Sequence, residues 1–188
     1  MAVELTKRAL PLEAYHLMIE AGLLTEADRV ELLNGEIIDM SPIGPKHSAL
    51  VRRLDLSLHR IFAGKLLVSV QSPIMVGDHS EPEPDLCLLR HRDDFYETSH
   101  PVAEDILLLI EVADSTLEKD RQVKLPIYAE AGIPLVWIVN LVDELVEVYT
   151  QPSGKVYKQR LLALRGDQLV LPQSSETLAV HEVLGTKD

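Results

Sequence analysis

The sequence predicts an α/β fold with a mixed central sheet flanked by helices, and two observations carry that reading. The short, almost wholly apolar runs "DLCLL" (85–89), "DILLLIEVA" (105–113) and "LVWIVN" (135–140) read as strands buried on both faces. Between the last two lies a helical stretch at 116–131, the kind of crossover that parallel pairing requires.

The elements follow in order. "LPLEAYHLMIEAGLL" begins with Pro11 near a helix first turn and meets Gly22 as a stop. "RVELLNGEIIDM" holds two alternating runs around Asn34-Gly35, a strong two-residue hairpin signal because both residues tolerate positive φ. "SPIGP" breaks the chain before "KHSALVRRLDLSLHRIFAG", in which Leu50, Leu54, Leu58 and Ile61 share one helical face and Gly64 ends it. Residues 66–76 read as one bent strand or two short ones. The helix "STLEKDRQVKLPIYAEAG" carries Ser115 and Glu118 at capping-box spacing, with a kink expected at Pro126. "ELVEVYTQPSGKVYKQRLLAL" reads as a hairpin around Pro152-Ser153-Gly154.

At 188 residues the chain suits one domain, 1–188. Its core is expected at about 45–140, with an N-terminal helix and hairpin at 10–40 and C-terminal strands at 144–172. Apolar residues at 46% and charged residues at 26% are ordinary for a globular protein. No apolar run approaches bilayer-spanning length and "MAVELTKRAL" lacks a signal-peptide core, so a cytoplasmic location is the expectation. Cys87 is the one cysteine, which excludes an internal disulfide and a cysteine-based zinc site. A net charge of −12 argues against a broad basic surface for nucleic acid, although a bound divalent ion offsets clustered acids locally.

Two acids stand out by context. Asp85 opens one strand and Glu111 lies near the end of another. If those strands are antiparallel neighbours, both carboxylates share one sheet edge. Carboxylates held together repel unless a proton or divalent cation sits between them, and hard oxygen ligands suit magnesium or manganese. The plainer readings are a strand-entry acid for Asp85 and an ion-paired acid for Glu111. Asp120 and Lys124 lie four apart on one helical face. They are either a surface ion pair or a means of bringing a lysine to the carboxylates. Glu36 and His47 are candidates from the first half of the chain, with an exposed strand residue and a solvated first-turn histidine as the ordinary alternatives. Gln71, next to the strand break at Ser72-Pro73, is a further candidate for contact with a polar site. Trp137 and Tyr128 read as core packing, and Glu81 and Glu83 as solvated loop residues.

Together "ELLNGEIIDMSPIGPKH", "QSPIMVGDHSEPEPDLCLL", "LLLIEVADSTLEKDRQVKLPIYAEAGIPLVWIVN" and "ELVEVY" resemble the Uma-type restriction endonucleases of the wider PD-(D/E)xK nuclease superfamily, over roughly residues 10–185. The resemblance implies a restriction-endonuclease-like core: a helix, a three-stranded antiparallel meander, a crossover helix and a parallel strand. It implies that Asp85, Glu111 and the Val112 carbonyl bind Mg²⁺ or Mn²⁺. The superfamily pattern wants a lysine two residues after Glu111, where this chain has Ala113. In Uma-type relatives the lysine sits on the following helix, and Lys124 is the matching position. Glu36, His47 and Asp120 match further positions near the site. The implied activity is metal-dependent hydrolysis of DNA phosphodiester bonds, with a homodimer expected for double-strand cleavage. A non-catalytic binding or assembly domain on the same fold, or a metal-dependent phosphoesterase on another substrate, stands as the alternative.

Overall fold

The computed structural model describes residues 7–185, so positions 1–6 and 186–188 of the expected 1–188 unit lie outside the described residues. Its centre is a six-stranded mixed sheet with the order β3-β4-β5-β6-β7-β8. These strands are β3 (Leu67–Val70), β4 (Leu86–Leu89), β5 (Ile106–Ala113), β6 (Leu135–Asn140), β7 (Leu145–Ser153) and β8 (Val156–Ala163). β5 and β6 pair in parallel and the other neighbours are antiparallel.

Side chains alternate across a strand, which explains why β4 and β5 are apolar throughout. Leu86, Leu88, Leu108, Ile110 and Val112 pack on one face with Leu50, Leu54 and Leu58 of α2 (Pro45–Phe62). Cys87, Leu89, Leu109 and Ala113 pack on the other face with Ile127 and Tyr128. Glu111 shares the second face by alternation, so its carboxylate enters an apolar layer and must find partners there. Trp137 is wholly buried, as expected.

The N-terminal elements form a separate layer. α1 (Leu12–Glu20) packs Leu12 and Tyr15 against Leu32 of the hairpin β1 (Val30–Leu33) and β2 (Glu36–Asp39). That hairpin turns through Asn34 and Gly35, both at positive φ, as the sequence predicts. Gly35 is required for a second reason: a Cβ there would come within 2.6 Å of Ala9. At the C-terminus, β9 (Gln168–Val170), β10 (Thr177–Ala179) and α5 (Val180–Leu184) close the α2 side.

The crossover departs from the sequence expectation. Instead of one helix it comprises α3 (Leu117–Lys119), a π-wound turn (Asp120–Lys124) and α4 (Leu125–Glu130). The Leu125 N–H donates to the Asp120 carbonyl, five residues back. The π winding ends just before Pro126, which then falls in the first turn of α4, where its missing N–H does no harm. The expected kink is therefore an extra residue in the winding. The Ser115–Glu118 capping box does not form. Thr116 takes the N-cap position with a helical rather than an extended backbone and no side-chain cap hydrogen bond, and Glu118 accepts from Arg121 and Gln122 instead.

Candidate active site

The register between β4 and β5 sets Leu86 opposite Ile110, so Asp85 lies beside the end of β5. The Val112 N–H donates to Asp85 Oδ2 at 2.8 Å, and His47 Nε2 donates to the same oxygen at 2.9 Å. Gln71 Nε2 donates to Asp85 Oδ1 at 3.2 Å. His47 reaches this point because Gly44 and Pro45 start α2 beneath it. The hydrogen bond to Asp85 raises the pKa of the His47 imidazole against the opposing pull of burial.

Glu111 is 3% exposed and takes both its donors on Oε1: Tyr128 Oη at 2.6 Å and Lys124 Nζ at 3.2 Å. Its carboxyl is raised to about 8: burial is the largest cause, Lys124 opposes it, and Asp120 and Asp85 add to the rise. Lys124, 4% exposed, also lies 3.0 Å from Glu31 Oε2 and 3.4 Å from the Glu83 carbonyl. Burial disfavours its ammonium, but Glu111, Glu31 and Asp120 outweigh that and raise its pKa.

Asp85, Glu111, Val112, Lys124, His47 and Asp120 all line one cleft of about 430 Å³. Asp120 is buried rather than on a solvated ion-pair face, and it accepts the Thr116 hydroxyl at 2.8 Å instead of pairing with Lys124. Glu36 is not brought to the cleft: it is exposed on β2 and pairs with Lys7 at 2.7 Å.

Three acids read differently in three dimensions. Glu81 is 5% exposed, bonded to His16 at 2.7 Å, and its backbone bridges to Leu32, so it is not a solvated loop residue. Glu83 is half-buried on the cleft wall, where burial and Glu31 raise its pKa. Glu31 is 1% exposed and was hidden in the sequence by its hairpin strand, where an acid among apolar residues is normally the outward one. Tyr128 does pack in the core, but its hydroxyl belongs to the site. The readable signal for it was position: it lies four residues after Lys124, on the same helical face.

Among the described residues, no three His, Cys, Asp or Glu side chains form a ready metal cage. The oxygens present are nevertheless hard donors, and magnesium commonly takes only one or two carboxylates plus water. Glu111 Oε2 is the oxygen left over from the Lys124 and Tyr128 bonds. The mutual repulsion of Glu111, Asp85 and Asp120 is what a cation would relieve.

Comparison with known proteins finds a matching family model and solved structures of similar fold. The family model "Uma2: Putative restriction endonuclease" matches residues 12–181. A crystal structure from Anabaena variabilis ATCC 29413, described as "a putative nuclease belonging to DUF820", aligns with a TM-score of 0.68 at 17% identity. The alignment covers 89% of this chain and 96% of that one, so the two share a fold. None of the curated proteins compared matches the chain. No helix among the described residues is long and apolar enough to cross a membrane.

Proposed function

The chain belongs to the Uma2 restriction-endonuclease family, and from that premise we propose that it is a Mg²⁺- or Mn²⁺-dependent DNA endonuclease. The observation that carries this is the convergence of Asp85, Glu111 and Lys124 in one cleft from three separate elements. Asp85, Glu111 and the Val112 carbonyl would hold the ion. In a strand the N–H and C=O of one residue face the same neighbour, so the Val112 carbonyl turns toward Asp85 with its N–H. The ion supplies Lewis-acid polarisation of a phosphoryl oxygen.

The remaining work falls to the chain. Lys124 offers a fixed positive charge to the phosphoryl oxygen on which charge grows, or orients the attacking water. In this reading Lys124, from the crossover, takes the part of the strand lysine that the superfamily pattern wants at position 113, where this chain has Ala113. His47 and Gln71 each hold one oxygen of Asp85, fixing the carboxylate's orientation. Asp120 adds negative field behind Lys124 and favours its charged form. A homodimer belongs to the proposal, since cutting both strands calls for two such sites.

The test is incubation of purified protein with supercoiled plasmid, with and without Mg²⁺ or Mn²⁺, beside Asp85→Ala and Lys124→Ala. Metal-dependent nicking lost in both variants supports the reading. Nicking that survives both substitutions, or a wild type that cuts nothing, sinks it.

A further inference from the structure

We propose that Glu31 is a positioning residue for Lys124. Its buried carboxylate, delivered by the N-terminal hairpin, holds the ammonium away from full collapse onto Glu111. The role assigned to Glu31 rests on the nuclease reading for the reaction it serves, although the placement of Lys124 can be tested without it.

The carboxylate of Glu31 is fully engaged. Lys124 Nζ lies 3.0 Å from Oε2, Lys119 Nζ donates to Oε1 at 2.9 Å, and the Glu83 N–H donates to Oε2 at 3.3 Å. Burial raises its pKa, but Lys124 and Lys119 outweigh that and hold the carboxyl below its usual range. A carboxylate so buried is tolerated only with such partners. Its position is not forced by the central sheet, because β1 and β2 form a separate two-stranded sheet. The hairpin docks through the Leu32–Glu81 bridge and the Gly35 N–H bond to the His79 carbonyl. These contacts fix the depth at which Glu31 enters the cleft.

The π turn supplies the other half. Positions 119 and 124 are five apart, and in an α-helix such residues point about 140° away from each other. Winding with i→i+5 bonds takes more residues per turn and brings them toward one face. Both lysines consequently reach the two oxygens of a single carboxylate. Lys119 steadies Glu31, and Glu31 steadies Lys124.

The chemical consequence concerns Glu111. With Glu111 as its one anionic partner, Lys124 would settle against that carboxylate and compete with any cation for it. Shared between Glu31 and Glu111, at 3.0 and 3.2 Å, the ammonium leaves Glu111 partly uncommitted and keeps its charge over the cleft.

Glu31→Gln and Glu31→Asp test this in the full chain, with two readouts. The first is kcat and KM for plasmid nicking with Mn²⁺. The second is acetylation of Lys124 by acetic anhydride, followed by mass spectrometry against exposed Lys158. We expect Glu31→Gln to lower kcat by about tenfold or more with KM nearly unchanged, and to speed Lys124 labelling several-fold. Glu31→Asp, which keeps the charge, should recover part of both. Unchanged kcat and labelling in a folded Glu31→Gln protein overturn the proposal, as does a loss confined to KM. If the wild type fails to nick, the endonuclease reading falls and labelling alone decides for Glu31: faster labelling supports it and unchanged labelling overturns it. If Glu31→Gln does not fold, Glu31→Asp decides by the same two readouts: impaired kcat and faster labelling support the proposal, wild-type values overturn it.

Discussion

Asp85 Oδ2 accepts the Val112 N–H at 2.8 Å, so a side chain rather than a backbone carbonyl continues the β4–β5 ladder beyond its last backbone pair, Leu86 and Ile110. One carboxylate thereby does two things. It satisfies the last inward-facing N–H of β5, and it is held in line with the strand end where Glu111 emerges.

Those two roles separate on substitution. Asp85→Asn keeps an oxygen for the Val112 N–H and should cost less than about 1 kcal/mol of stability. Asp85→Ala leaves that N–H unpaired in a half-buried position and should cost about 1–3 kcal/mol. Both should abolish Mn²⁺ binding. Urea unfolding and a Mn²⁺ titration of the two variants check the split; equal stability losses would deny the ladder role.

Lys124 is the counter-charge for two buried carboxylates. Removing it as Lys124→Ala should destabilise by about 3 kcal/mol, the usual range for breaking a buried pair by deleting one partner. Activity should fall at least about a hundredfold, the scale for losing one charge-stabilising donor. Lys124→Met fills the volume without the charge. A Lys124→Met protein with full nicking activity would show that the ammonium is not needed.

How much of this was legible in the sequence depended on whether a residue's role was local or shared. The buried strands and the Asn34-Gly35 turn follow from periodicity and backbone preference, the antiparallel meander is what the family resemblance implies, and the parallel crossover appears where expected though not as one helix. Asp85 and Glu111 came together because strand order alone puts one strand's start beside the next one's end. Glu31 could not be read this way, because the docking of the hairpin, not its alternation, decides that Glu31 faces inward. Glu36 shows the reverse: it has the motif position but is exposed at the start of β2 and paired with Lys7. The π turn was also hidden, since Pro126 announces only that an α-helix is interrupted and not how the winding recovers.

Glu111 makes stability depend on pH. Its carboxyl is raised from an ordinary value of 4.5 to about 8. Between those values the folded protein binds a proton that the unfolded chain has released. Stability therefore falls as pH rises from about 4.5 through about 8, by on the order of a few kcal/mol in total. Glu111→Gln should flatten that slope, so its melting temperature should gain on the wild type as pH rises. A divalent ion competes with the same proton. Mn²⁺ should thus raise the wild-type melting temperature more at about pH 8.5 than at about pH 6, and should do little for Glu111→Gln. Parallel melting curves for both proteins across this range would contradict the assignment.

A second buried acid anchors the π turn from behind. Glu147 on β7 is wholly buried and is gripped by Arg121, with Arg160 at 2.9 Å and Asn140 Nδ2 donating at 3.0 Å. Burial raises its pKa, but the hydrogen bonds from Arg121, Tyr149 and Asn140 outweigh it and hold the carboxyl low. Arg121 lies within the same turn as Lys124, three residues before it, so the Glu147 bond ties that turn to the sheet. Arg121→Met should cost about 2 kcal/mol: Arg160, Asn140 and Tyr149 still satisfy Glu147, which keeps the loss below that of an unpaired buried charge. Because Glu147's folded pKa is depressed, its contribution is present above the ordinary carboxyl pKa and is lost as pH falls through the lowered value. The cost of Arg121→Met should consequently shrink toward acid pH. Urea unfolding of wild type and Arg121→Met at neutral and acid pH measures this, and a cost that stays constant or grows on acidification would rule out the ion pair as the anchor.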